Sequence, residues 1–248
     1  MDAFGIDIGG SGIKGAPVDL TTGTLTAERL RIPTPEKSTP DAVGDVCAQI
    51  VEHFQVPSET PIGIAFPAPI RHGVVLFIAN LDKSWEGTNF TELMQRKVGR
   101  PVVAVNDADA AGYAEVYYGA AKDHPGTVIV TTLGTGIGSA VIVDGHLVPN
   151  TELGHLEIDG YDAESRAAAS VRTAEDLNWK QWGKRLTRYY SHVEMLFSPD
   201  LFVIGGGVSK NFDKFAPYIK VNTPLAPAVL RNEAGIVGAA RLAADGHK

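Results

Sequence analysis

The chain carries one kind of turn twice. Residues 4–19 read FGIDIGGSGIKGAPVD and residues 128–145 read VIVTTLGTGIGSAVIVDG, each a tip rich in glycine and hydroxyls between two strand-like runs. Slid by 125 residues, the segments pair Gly9 with Gly134 and Asp19 with Asp144, and the apolar alternation agrees on both sides of the tip. Self-similarity of this kind marks a duplicated unit, so the fold has to be built as two related halves. A hairpin tip of Gly, Ser and Thr also offers unhindered backbone N–H groups and hydroxyls, which is what a phosphate oxygen needs. Two such tips facing each other would clamp a phosphate chain; two ordinary tight turns are the competing interpretation.

A length of 248 residues with 44% hydrophobic content suits two compact lobes of about 120 residues each. Net charge of −7 and a pI near 5.5 argue against a nucleic-acid surface, which needs clustered Lys and Arg. The single cysteine, Cys47, excludes an internal disulfide and a multi-cysteine zinc cluster, and reads as core. The sequence has no 18-residue apolar run, and the chain reaches Asp7 with no room for a signal peptide. A cytoplasmic protein without membrane attachment is expected.

Periodicity fills in the rest. Hairpins are expected at residues 4–19 and 127–143, with a further strand over 24–32. Thr39 and Pro40 open a helix that repeats Val43, Val46, Cys47, Ile50, Val51 and Phe54 on one face. Strands at 61–66 and 101–105 alternate with helices at 91–98 and 108–118, which implies parallel pairing. Residues 173–196 read as one helix despite Gly183, 201–204 as a strand running into Gly205, Gly206 and Gly207, and 211–218 and 234–244 as helices. The expected division is a first lobe of residues 1–107, with helix 234–248 packed back on it, and a second lobe of residues 108–233.

The phosphate chemistry gathers at the first tip, made of Gly9, Gly10, Ser11 and Gly12, and at the second, made of Gly134, Thr135 and Gly136. Only the first is flanked by charge. A carboxylate beside a phosphate cradle is unfavourable unless a cation lies between, so Asp7 is a candidate to hold Mg²⁺, directly or through water, and Lys14 to neutralise phosphoryl oxygens. A turn-capping Asp and a solvated Lys are the alternatives. Both tips lead into strands, whereas a dinucleotide loop leads into a helix, which disfavours a nicotinamide cofactor. Gly206 and Gly207 follow a strand and would let a phosphate or flat ring approach the backbone.

Asp107 ends a strand where open parallel sheets place reactive groups, and a carboxylate there can orient a hydroxyl and accept its proton. Asp107 is therefore the candidate general base, unless it caps the next helix or Asp109 takes that role. The segment TELGHLEI at 151–158 concentrates Glu152, His155 and Glu157. Such a set suits sugar hydroxyls, each both donor and acceptor. It also resembles metal ligands, but no further His or Cys is nearby, which favours hydroxyls. Lys180, Lys184 and Arg188, with Arg185 alongside, form a cationic stripe that could guide a polyanion or be a solvated helix face.

Five motifs in order, DIGGSGIK, VND, LGTGIGSA, ELGH and IGGGVS, resemble the sugar kinases of the ROK family over nearly the whole chain. The resemblance implies an α/β, two-lobed actin-like ATPase (ribonuclease H-like) fold with duplicated sheet and helix domains and an interdomain cleft. It implies that Asp107 activates the C6 hydroxyl of a hexose, and that Asn80, Asn106, Glu152, His155 and Glu164 hold the other hydroxyls. Many ROK kinases follow the GH pair with a cysteine-rich zinc cluster; here EIDGYDAESRAAASVR stands in that place, so no zinc site is expected. That replacement, with GIAFPAPI and IANLDKSW, resembles the polyphosphate glucokinase branch, which includes polyphosphate/ATP glucomannokinases. The resemblance implies transfer of a terminal phosphoryl from inorganic polyphosphate or ATP to glucose, and in some members also to mannose, with Mg²⁺ as cofactor. It leaves monomer and homodimer both open. A sugar-sensing regulator would carry a DNA-binding module ahead of the first tip, and only six residues precede Asp7.

Overall fold

The computed structural model describes residues 3–79 and 81–246. The chain forms two compact units, Met1–Ala114 with Glu233–Lys248, and Glu115–Asn232.

The first unit begins with β1 (Ala3–Gly9) and β2 (Gly12–Asp19), an antiparallel hairpin, followed by β3 (Thr24–Leu25) and β4 (Leu30–Ile32), which both pair with β2. The strand expected over 24–32 is thus two short pieces. Helix α1 (Pro40–His53) starts where Thr39 accepts the Ala42 N–H at 3.4 Å, with Pro40 supplying a preset first turn. Its face of Val43, Val46, Cys47, Ile50 and Val51 is buried, and burial pushes the Cys47 thiol up to about 12. Strand β5 (Ile62–Phe66) follows and runs parallel to β1. Its five residues are all buried, the pattern of a strand covered on both faces. A short hairpin of β6 (Ile70–Arg71) and β7 (Val74–Val75) leads through a 3₁₀ turn to α2 (Phe90–Val98). Gly99 stops α2 in the left-handed conformation at φ 76°. Strand β8 (Val103–Asn106) joins β5 in parallel and gives way directly to α3 (Asp107–Tyr118).

The second unit repeats the plan. Strands β9 (Thr127–Leu133) and β10 (Ile137–Val143) form its hairpin, and β11 (His146–Val148) extends it. An elaboration follows: a 3₁₀ turn at Leu153–His155, a two-residue-per-strand hairpin of β12 (Glu157–Ile158) and β13 (Tyr161–Asp162), α4 (Glu164–Ala167) and α5 (Ala169–Ala174). Helix α6 (Trp179–Phe197), β14 (Leu201–Gly205), the single-turn α7 (Phe212–Phe215) and β15 (Leu225–Pro227) complete it. The sheets have the orders β3-β2-β1-β5-β8 and β11-β10-β9-β14-β15, each with two antiparallel contacts followed by two parallel ones.

The chain ends in α8 (Ala234–Ala244), which packs on β1 and β5 of the first unit. Its approach is backbone to backbone: a side chain at Gly5 would run into the Ile236 carbonyl, one at Gly63 into that of Ala239.

Two expected helices are interrupted. The span 173–196 breaks between Ala174 and Trp179, because Asn178 caps α6 reciprocally with Gln181, each side chain taking the other's amide at 2.9 Å. The span 211–218 alternates 3₁₀ and α turns, consistent with Pro217, which has no N–H to continue an α-helix. Among the described residues, no helix is long and apolar enough to cross a membrane.

Candidate functional site

In the first unit, β1, β5 and β8 run parallel and finish at one edge of the sheet. The register puts Asp7 beside Ala65 and Ala65 beside Val105, so Gly9 and Asp107 lie about one pleat repeat further out, two strands apart. The hairpin tip between Gly9 and Gly12 is only Gly10 and Ser11. Its carbonyls are occupied: Thr34 Oγ1 donates to Gly9 O at 2.5 Å and Arg31 Nη2 to Ser11 O at 2.7 Å. Tying off acceptors removes the groups that would repel an anion. Asp7 and Lys14 face each other across the hairpin with Oδ2 and Nζ 3.2 Å apart. The first turn of α8 abuts Asp7, and Gly235 leaves the room; a Cβ there would lie 3.1 Å from the carboxyl carbon. One half-buried carboxylate with a cation beside it fits the way Mg²⁺ is usually held, by a carboxylate or two with water and substrate phosphates completing the shell.

At the end of β8, the Asn106 side chain accepts the amides of Ala108 at 2.9 Å and Asp109 at 3.1 Å. The capping alternative considered for Asp107 therefore belongs to Asn106. Asp109 is buried at 1% exposure, while Asp107 is half-buried. Asn80 lies outside the described residues.

In the second unit β9 and β14 are parallel neighbours, so the tip at Gly134, Thr135 and Gly136 and the turn at Gly206 and Gly207 share one edge. Here the tip has three residues, between the paired Leu133 and Ile137. Ser170 holds it through its own amide to Gly134 O at 3.0 Å and its hydroxyl to Thr135 O at 2.6 Å. Gly206 sits at φ 80° against the backbone of Leu133, a position with no space for a side chain. Glu164 reaches the same tip: its Oε2 accepts the Ile137 amide at 2.9 Å, and a Cβ on Gly136 would strike its carboxylate.

Beside that tip stand Glu152, His155 and Glu164. Burial pushes the Glu152 carboxyl up, opposed by the charge of His155 and aided by that of Glu164. His155 is also raised, first by a 2.8 Å hydrogen bond from Nδ1 to Asp162 and then, against a burial penalty, by Glu164, Asp162 and Glu152. Asp162 accepts the Glu164 amide as well, at 3.1 Å. The atoms of His155, Asp162 and Glu164 that could ligate a metal lie within 4.8 Å of one another. Each of the three is engaged in these internal hydrogen bonds, and none of them is a cysteine. Glu157, on β12, is exposed.

The cationic stripe on α6 is partly neutralised. Arg188 makes a two-pronged contact with Asp159 at 2.8 and 2.9 Å, and Arg185 pairs with Glu175 at 2.5 Å. Sequence reasoning missed Asp162, Arg31, Thr34 and Ser170. For Asp162 a signal existed, because Asp159-Gly160 between short apolar positions is a hairpin turn that returns the chain toward ELGH.

The comparisons agree with this architecture. The ROK family model matches residues 3–169. The polyphosphate glucokinase of Mycobacterium tuberculosis (strain H37Rv) is 50% identical over 238 residues, covering 96% of this chain and 89% of that protein. The crystal structure of inorganic polyphosphate/ATP-glucomannokinase from Arthrobacter sp. strain KM superposes with a TM-score of 0.92 at 54% identity, covering 99% of both chains. A ROK glucokinase from Streptomyces griseus, solved with glucose and AMPPNP, shares the fold at a TM-score of 0.83 and 23% identity over 98% of this chain and 99% of that one. The fold is that of the actin-like ATPases, and the chain belongs to the ROK family.

Proposed function

We propose that the protein is a glucokinase that transfers the terminal phosphoryl of inorganic polyphosphate or ATP to the C6 hydroxyl of glucose, with mannose as a second acceptor. The observation that carries this reading is identity at half of all positions, over 96% of the chain, with an enzyme named for polyphosphate-dependent glucose phosphorylation. The solved polyphosphate/ATP-glucomannokinase at 54% identity supports both donors and the mannose.

In this reading the two tips, Gly9 to Gly12 and Gly134 to Gly136, receive donor phosphate oxygens, helped by the turn at Gly206 and Gly207. Their tied-off carbonyls favour that role. Lys14 neutralises a phosphoryl oxygen, and Asp7 holds Mg²⁺. The cation would supply charge neutralisation at the transferring phosphoryl. Asp107 orients the sugar hydroxyl and takes its proton. Half-exposed at a strand's carboxyl end, Asp107 suits this better than the buried Asp109. Asn106, Glu152, His155 and Glu164, with Asn80, hold the remaining hydroxyls. The raised Glu152 and His155 are the expected companions of a partly desolvated polar site.

The test is a coupled assay of glucose 6-phosphate formation with polyphosphate and with ATP in turn. Product with either donor is expected; none with both overturns the enzyme reading. Asp107→Ala should lower kcat by about 10²–10⁴-fold with glucose binding largely kept. Near-normal turnover in that variant removes Asp107 from the base role.

A further inference from the structure

We propose that Asp162 is the positioning residue of the sugar site, fixing the tautomer and orientation of His155 and the place of Glu164 with one carboxylate. The proposal rests on the reading that His155 and Glu164 hold sugar hydroxyls, and it assigns how they are held.

The chemistry follows from counting donors. A carboxylate can only accept, so the 2.8 Å contact between Asp162 Oδ2 and His155 Nδ1 requires the proton on Nδ1. In the neutral ring this puts the lone pair on Nε2, where a sugar hydroxyl can donate to it. The other oxygen, Oδ1, accepts the Glu164 amide at 3.1 Å and so sets the first residue of α4. Glu164 in turn reaches the Ile137 amide at the second tip. A single side chain therefore links the histidine, the second carboxylate and the edge of the tip.

Asp162 is itself anchored. Asp159 and Gly160 both have positive φ, 57° and 78°, as a tight two-residue hairpin turn demands, and the register pairs Glu157 with Asp162 and Ile158 with Tyr161. Ile158 is buried in the core of the second unit. Arg188 on α6 grips the turn through both oxygens of Asp159, the Arg166 guanidinium lies 3.8 Å over the Tyr161 ring, and Ser165 Oγ donates to Asp162 O at 2.6 Å. This hairpin occupies the place where the family resemblance leads one to look for a cysteine cluster. It meets the histidine through the hydrogen bond between Nδ1 and Asp162. On this account Arg188 serves the acceptor side of the reaction by holding the hairpin, and not a donor track.

Asp162→Asn is the informative substitution. Two N–H groups point at the two carboxylate oxygens, while an amide offers one acceptor and one donor group. Its NH₂ must then face either Glu164 or Nδ1. In the first case the α4 contact is lost; in the second the imidazole proton is driven to Nε2. The expected outcome is a glucose KM raised about 10- to 100-fold, with the donor KM unchanged and kcat at saturating glucose within about threefold. The pH dependence of glucose binding should also move, because the Asp162 charge is one of the groups facing His155, with Glu152 and Glu164.

The decisive readout is ¹⁵N NMR of the histidine side chains in the whole protein, assigned with His155→Ala and followed upward in pH until the neutral ring is observed. Wild type should carry the proton on Nδ1. A wild-type proton on Nε2 overturns the proposal whether or not any variant folds. Unaltered glucose KM and an unaltered ¹⁵N signature in a folded Asp162→Asn, with His155→Ala impaired, overturn it too and leave the sugar-site reading standing. Normal glucose KM in His155→Ala defeats that reading first, and the proposal with it.

Discussion

The two hairpins share their strand order and pairing, yet they treat one structural position in opposite ways. Counting from the parallel neighbour, Asp7 lies beside the fourth residue of β5 and Thr131 beside the fourth of β14. Across each hairpin Asp7 faces Lys14, and Thr131 faces Ser139. The first pair is ionic and partly exposed, at 19% and 24%. The second is two hydroxyls at 0% and 1% exposure, each with its own partner: Thr131 with the Tyr190 hydroxyl at 2.6 Å, Ser139 with the Thr151 carbonyl at 2.6 Å and the Leu153 amide at 2.9 Å. One copy keeps charge where solvent can reach it. The other has turned the same place into core and fastens to it the segment that carries ELGH. Duplication supplied the scaffold, and burial decided which half could hold ions.

The reciprocal exchanges break that comparison most directly. Thr131→Asp places a carboxylate in a sheet at zero exposure with no cation opposite, and should cost about 3–5 kcal/mol, read as a lowered urea midpoint. An unchanged midpoint would mean the second hairpin tolerates charge as the first does. Asp7→Thr should fold, since an ion pair still reached by solvent contributes about 1 kcal/mol or less. Its kcat should fall about 10²–10³-fold, with the loss falling on donor use, if Asp7 holds the cation. A variant that folds and turns over normally would remove Asp7 from that role.

Sequence periodicity made both hairpins legible because alternation in short β runs flanked by glycine has few other outcomes: expected at 4–19 and 127–143, they occur as β1–β2 and β9–β10. The sliding match at 125 residues was correct for β2 and β10 and one residue out for β1 and β9, because the second tip has three residues and the first has two. Such an insertion leaves no trace in the glycine pattern. The break before α6 was written in the sequence as Asn178 and Gln181, but the apolar spacing on both sides obscured it. For the candidate site, residue types at 152, 155 and 164 were readable. The link among them was not, since Asp162 reaches His155 only through a hairpin whose register has to form first. Arg188 shows the same limit: its spacing suggested a free stripe, and its partner Asp159 comes from a distant turn.

The smallest effects sharpen the contrast at Thr131. Tyr189 and Tyr190 are adjacent, buried on α6, with ring centroids 5.1 Å apart, and burial raises both hydroxyls above the usual tyrosine range. Tyr190 meets Thr131, whereas among the described residues the Tyr189 hydroxyl has no hydrogen-bond partner. Removing the oxygen from Tyr190 deletes a buried bond and orphans the Thr131 hydroxyl, so Tyr190→Phe should cost about 1–2 kcal/mol. Removing it from Tyr189 deletes only a desolvated group, so Tyr189→Phe should be neutral or add up to about 1 kcal/mol. Both rings keep their packing, and thermal unfolding of the two variants side by side isolates the hydroxyls. Equal losses would mean that Thr131 is not sustained by Tyr190, and that burial alone, without this bond, made the second copy's position incompatible with charge.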